Sequence, residues 1–160
     1  MPSPRFDLQA LSDRAEITDV INRYAVGVAA RDVDLLVSLF ADDAVLDYYG
    51  RQPIEGTEAI RALFTPDPAR PALPLDPHVV STPIMTNVLI EVDGDAAHAE
   101  SYCLATHAGE RAGEGLVLVR GTRNVDDLRR TPVGWRITRR RHEKLWSIEV
   151  PGATGFTHQD

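Results

Sequence analysis

The sequence predicts an α+β fold, with N-terminal helices gathered on the concave side of one curved, mainly antiparallel sheet. Three observations predict it. Apolar residues recur at a helical period over the first third of the chain, the period falls to two from about Val79, and tight turns join the long strands that follow. With 160 residues, 43% of them hydrophobic, the chain makes one domain, residues 1–160, with a core over about 10–150 and a tail over 151–160.

The first helix runs from about Asp13 to Arg31. Ile17, Val20, Ile21, Tyr24, Ala25 and Val28 form its apolar stripe, and Asp13 with Glu16 reads as a capping box. Asp32 caps a shorter helix carrying Leu35, Leu36, Leu39 and Phe40, which Asp42 and Asp43 end. Ala44 to Tyr48 reads as a short strand, and Thr57 caps a third helix over Glu58 to Phe64. Pro66, Pro68, Pro71, Pro74 and Pro77 then exclude helix and sheet interior, which makes the segment a loop of the lid or binding type. Beyond it, Val80, Thr82, Ile84, Thr86, Val88, Ile90 and Val92 alternate along one strand, and Asp93-Gly94-Asp95 turns the chain into a second, Ala96 to His107. A Gly-rich loop over Gly109 to Gly115 leads to strands over Leu116 to Val125 and Trp135 to Ile148.

Composition narrows the function. A net charge of −7 speaks against phosphate-neutralising nucleic-acid binding. No apolar run reaches membrane-spanning length, and the charged N-terminus shows no signal peptide. The single Cys103 excludes a Cys-cluster zinc site, and no metal or other cofactor is implied. The expectation is a cytoplasmic domain whose partner is a small molecule, bound in the cavity between sheet and helices.

His78 and His107 lead the candidates. A hairpin centred near Gly94 places His107 opposite residue 81, diagonal to His78 and within about 8 Å of it. Two imidazoles at that separation can hold one water or substrate oxygen, and their ordinary pKa suits both acceptance and donation of a proton. The competing reading is a pair of solvated strand-end histidines. His107 shares its face with Ala97, Ala99, Ser101, Cys103 and Ala105, small residues that leave room for a cavity or for a closely packed helix.

The run Tyr24, Arg31-Asp32-Val33-Asp34-Leu35-Leu36, Leu39-Phe40-Ala41-Asp42-Asp43-Ala44-Val45, Ile54-Glu55-Gly56 and Ala59-Ile60, closed by Trp135-Arg136-Ile137, resembles the SnoaL-like branch of the NTF2-like superfamily over about residues 10–150. The resemblance implies the cone-shaped fold and a homodimer formed through the outer face of the sheet. For function it implies only a range, from dehydratases and polyketide cyclases to members without catalysis. Asp47-Tyr48 looks like the Asp-Tyr pair of the scytalone dehydratase-like members, whose Tyr orients a water on the substrate carbonyl, and His78 and His107 match their strand histidines in rough position. Tyr24 matches a helix Tyr able to donate to a substrate oxygen. Val28-Ala29 stands where those relatives carry Tyr and Asp, so the usual carboxylate partner of the catalytic His is missing, with Glu143 and Asp76 as possible substitutes.

Tyr102 and Trp146 are expected to pack or line the pocket, and Asn87 to face either the cavity or solvent. Together these residues point to cofactor-free acid-base chemistry on a small, apolar, oxygenated ring compound of polyketide or terpenoid type: dehydration, isomerisation or cyclisation. His107, helped by His78, takes a proton next to a carbonyl while Tyr48 and Tyr24 hold the enolate oxygen. The alternatives are a non-catalytic binding or assembly module, and an epoxide hydrolase built on Asp47 with Arg120 or Arg141.

Overall fold

A computed structural model describes residues 7–67, 80–152 and 154. Helix α1 spans Leu8–Ala30, and its cap is Asp7, whose side chain accepts the Ala10 amide at 2.8 Å. The expected cap, Asp13, lies inside the helix and is only 2% exposed, because partners distant in sequence claim its carboxylate. Arg130 donates to it twice, at 2.7 and 2.8 Å, and Trp135 Nε1 donates at 3.2 Å. Asp32 caps α2 (Val33–Ser38) as its position predicts, accepting from the Leu35 amide at 2.9 Å. A Cβ on Gly27 would press into the Leu36 side chain, so the glycine is the notch in which α2 seats against α1.

Strand β1 (Phe40–Tyr48) begins earlier than its sequence suggests, because Phe40 already pairs with Ile137 and the Leu39 carbonyl accepts the Ile137 amide at 2.9 Å. A two-residue strand, β2 (Ile54–Glu55), pairs with β1, and α3 (Thr57–Phe64) starts from Gly56 at φ 82° with no side-chain cap, so Thr57 is its first residue and not its cap. The proline-rich segment and His78 fall almost wholly outside the described residues. Four long strands follow: β3 (Val80–Asp93), β4 (Ala96–Arg111), β5 (Glu114–Thr131) and β6 (Gly134–Pro151). The expected Gly-rich loop is instead ladder, with Gly109 opposite Leu116 and Glu110 opposite Gly115, closed by a tight turn at Ala112-Gly113.

The sheet order is β2-β1-β6-β5-β4-β3, antiparallel throughout except for the parallel β1/β6 pair. Its faces are set by bulges, each of which adds one residue and reverses the alternation beyond it. Asn87, at φ 52°, lies in the register shift of β3. Met85, Val88, Ile90 and Val92 therefore turn toward the core while Ile84 lies 52% exposed, so the single alternating set read from sequence is broken in the middle. Along β6 the register shifts at Thr138 and again at Leu145.

The core lies between α1 and the sheet. Ile17, Ile21 and Tyr24 meet Ile90, Ala97, Ala99, Leu128, Trp135 and Ile137, with Leu36, Phe40, Leu46 and Ile60 closing one side. Each large aliphatic side chain buried here contributes about 1.5–3 kcal/mol relative to exposure. Ala97 and Ala99 join this core, and Ser101 and Cys103 are buried on the same face of β4. Among the described residues, no helix is long and apolar enough to cross a membrane.

Candidate active site in the cone

The Thr138 bulge decides what β6 presents to the interior. Ile137 faces the core, Thr138 is the extra residue, Arg139 points outward, and Arg140 and His142 turn in, at 0% and 9% exposure. His142 pairs with Tyr48 across the parallel ladder and with Asn124 across the antiparallel one. Tyr48 stacks on the imidazole with ring centroids 5.0 Å apart and planes 4° from parallel. Tyr49 would point to the other face of an ordinary strand. Its left-handed backbone, at φ 60°, folds it back instead, with its ring 4.8 Å from the same imidazole.

These contacts fix the tautomer of His142. Its Nδ1–H donates to Asn124 Oδ1, and its Nε2 accepts from the Tyr49 hydroxyl at 3.2 Å. Asn124, 1% exposed, passes its own amide hydrogen toward Ser101 Oγ at 3.5 Å. Burial, joined by the charges of Arg140 and Arg120, lowers the imidazole pKa to about 3, so the ring is neutral.

Arg140 forms a buried pair with Asp126, both fully enclosed, through Nε–Oδ1 at 2.6 Å and Nη2–Oδ2 at 2.7 Å. Its guanidinium lies 3.9 Å from the Tyr24 ring centroid, and its third nitrogen, Nη1, is buried with no acceptor in hydrogen-bond geometry among the described residues. Tyr24 is held edge-on by Phe40 and Phe64. Burial raises the pKa of Tyr24 and pushes that of Tyr48 well above 10, which keeps both hydroxyls protonated.

His107 stands opposite Ser81 as the hairpin arithmetic predicts, with Ser81 Oγ 2.9 Å from its Nδ1. Burial and then the charge of Arg120 lower its pKa to about 4. Arg120 shares the inner face, diagonal to His107 across the β4/β5 ladder. Its charge reaches His107, His142 and Tyr48, its guanidinium carbon lies 5.9 Å from the Tyr49 ring, and its Nε is buried without an acceptor among the described residues. It is the group common to the whole cluster.

The structure thus brings Tyr24, Tyr48 and His107 to the inner face of the cone and leaves other candidates elsewhere. Asp47 alternates with Tyr48 and so faces away from it, and its carboxylate accepts the Gly50 amide at 3.1 Å. Tyr102, 39% exposed, lies between the buried Ser101 and Cys103 and so points to the outer face of the sheet. Trp146 lies outside as well, 49% exposed, because the Leu145 bulge reverses its side; its indole covers Gly121 so closely that a side chain there would collide with it. Asn87 is the exposed bulge residue beside Thr86 Oγ1. Arg141 is exposed and pairs with Glu143, which also holds Arg123, so neither Asp47 with Arg141 nor Glu143 enters the cone. Asp76 lies outside the described residues.

Sequence reasoning passed over His142, Tyr49 and Asp126, left Asn124 between cavity and solvent, and read Arg140 as part of a solvated strand. A signal was present in the polar residues spaced two apart along β5, Thr122, Asn124 and Asp126, all buried here, but the Thr138 bulge concealed their partners on β6. Among the described residues, no three His, Cys, Asp or Glu side chains gather to hold a metal ion.

A family model described as a SnoaL-like domain matches residues 9–141. An uncharacterised protein of Mycobacterium tuberculosis is 32% identical over 139 residues, covering 85% of this chain and 88% of that one. An NTF2-like protein with a cystatin-like fold from Novosphingobium aromaticivorans superposes with a TM-score of 0.68 at 27% identity, over 89% of this chain and 92% of its own. The hexachlorocyclohexane dehydrochlorinase LinA-type3 of Novosphingobium barchaimii superposes with a TM-score of 0.77 at 19% identity, over 95% and 99%, a likeness of fold.

Proposed function

The chain belongs to the SnoaL-like domain family, and from that premise we propose a cofactor-free acid-base enzyme acting on a small, apolar, oxygenated ring compound. The observation that carries this reading is the inner-face cluster: His107 oriented by Ser81, with Arg120 linking it electrostatically to the protonated hydroxyl of Tyr48. With Nδ1–H donated to Ser81 Oγ, His107 Nε2 carries the lone pair. It takes a proton from carbon next to a carbonyl, and the electron pair of the broken C–H bond moves to the carbonyl oxygen. Tyr48 and Tyr24 supply hydroxyl donors to that oxygen. Expulsion of a β-hydroxyl, protonated by the imidazolium and released as water, gives dehydration, and return of the proton to a different carbon gives isomerisation.

The test is exchange of α-protons of ring ketones in deuterated water, followed by NMR. His107→Ala should lower exchange about 10²–10⁴-fold while the circular dichroism spectrum stays unchanged. Undiminished exchange in a folded variant overturns the mechanism. His78, outside the described residues, belongs to the same proposal as a helper of His107, and His78→Ala should slow exchange in the same assay.

One observation favours a second reading, a non-catalytic binding module of the same fold. The ring partners of His142 are Asn124 and Tyr49 and that of His107 is Ser81, with no carboxylate in contact with either imidazole among the described residues. A module of this kind binds ring compounds yet exchanges no proton at any pH. In either reading the partner across the outer face of the sheet is a second copy. Ile84, Leu104, Trp146, Ile148 and Val150 are all exposed on that face, across strands β3, β4 and β6. Light scattering on the protein and on Trp146→Glu tests the homodimer, which the charge should split.

A further inference from the structure

The charges inside the cone do not balance. Among the described residues Arg120 and Arg140 face one carboxylate between them, Asp126, and that carboxylate spends both oxygens on Arg140. Both imidazoles are held neutral, His107 by burial and the charge of Arg120 and His142 by burial and the charges of Arg140 and Arg120, so they add no negative charge. Tyr24 and Tyr48 remain protonated. Two guanidinium nitrogens, Arg120 Nε and Arg140 Nη1, are buried with no acceptor in hydrogen-bond geometry among the described residues, and Arg140 is fully enclosed. A buried donor without an acceptor costs about 1–3 kcal/mol, more when it is charged, and a ligand that supplies the acceptor relieves that cost. An anion in the cone supplies both the acceptors and the missing charge.

We propose that the cone carries an anion site at Arg120, backed by Arg140, and that the ring compound it takes is an organic acid whose carboxylate seats there. This deepens the functional reading above by naming the substrate class and rests on it for the ring. The Arg140–Asp126 pair holds one guanidinium rigidly in place, while Arg120, without a carboxylate partner among the described residues, is left to pair with the ligand. The aromatic wall of Tyr48 and Tyr49 beside it accommodates the apolar ring.

Isothermal titration of the full chain with benzoate, 1-naphthoate and their methyl esters tests the proposal. The acids should bind about tenfold or more tightly than the esters, because a charge-assisted pair replaces a neutral contact. Arg120→Met should erase that preference, and Arg120→Lys, which keeps the charge, should retain part of it. Circular dichroism confirms that each variant is folded. Equal or tighter binding of the esters, no binding of any acid, or an acid preference that survives in folded Arg120→Met overturns the proposal. Ring ketones that exchange α-protons while no acid binds remove the anion site and leave the acid-base reading standing. Acids that bind with no exchange in any compound do the reverse.

Discussion

Removing the carboxylate of Asp126 should be among the most damaging single changes available to this fold. Asp126 and Arg140 are both fully enclosed and joined by two short charge-assisted hydrogen bonds. Asp126→Ala leaves a guanidinium in the interior, where Arg120 and the neutral His142 offer it nothing. Stranding one member of a buried pair costs about 3–5 kcal/mol, a large part of the roughly 5–15 kcal/mol that holds a domain together. At about 2–4 °C per kcal/mol for a chain of this size, the melting temperature should fall by about 6–20 °C. Replacing both partners by apolar residues, Asp126→Leu with Arg140→Met, removes the stranded charge and should recover most of the loss. Thermal and urea denaturation at pH 7, followed by circular dichroism, measure all three proteins. The reasoning is falsified if the single variant melts within about 2 °C of the parent, or if the double variant is no more stable than the single.

Three further perturbations test other parts of the structure. Asp13 is held near pKa 2 by Arg130, below its ordinary 3.8, so its contribution is complete above that value and disappears as pH falls through 2. Asp13→Asn should therefore destabilise the protein at pH 7, and the gap in melting temperature should close between about pH 4 and pH 2. His142 is held neutral down to about pH 3, so from its ordinary 6.5 downward the unfolded chain binds a proton that the native state refuses. Stability should fall by up to about 1.4 kcal/mol per pH unit on this account, and His142→Gln should flatten the slope between pH 6 and pH 4 in urea titrations. Gly27→Ala gains about 1 kcal/mol of helix propensity but drives a methyl into Leu36, an overpacking that costs about 1–3 kcal/mol. Its net loss should shrink when Leu36→Val makes room, and strict additivity in denaturant titrations would count against the notch.

Much of the architecture was legible because its causes are local. The stripe from Ile17 to Val28, the Asp32 cap, and the turn at Asp93-Gly94-Asp95 each declare themselves within a few residues, and the turn alone placed Ser81 across from His107. What escaped depends on residues far apart. Asp13 reads as a helix cap until Arg130 and Trp135 arrive from the last two strands. Arg139-Arg140-Arg141 alternates across a strand and reads as solvated and paired with acids, since nothing in that triplet says that Thr138 will bulge and bury its middle member. Trp146 is expected to pack or line the pocket, and the Leu145 bulge turns it out. A bulge changes no residue type and leaves little trace in hydrophobic pattern, yet each one exchanges the two faces of everything downstream.

The parallel seam between β1 and β6 also governs how the protein is made and how it comes apart. Tyr48 and Tyr49 leave the ribosome early, and their partner His142 leaves late, so the nascent chain carries half a site and waits. Until β6 inserts between β1 and β5, two sheet edges stand open with their backbone amides and carbonyls unpaired. A chain that stalls or is nicked before β6 presents both edges at once, together with the apolar underside of α1. Such a fragment is a template for aggregation, so quality control in the cell faces one decisive event, the arrival of the last strand.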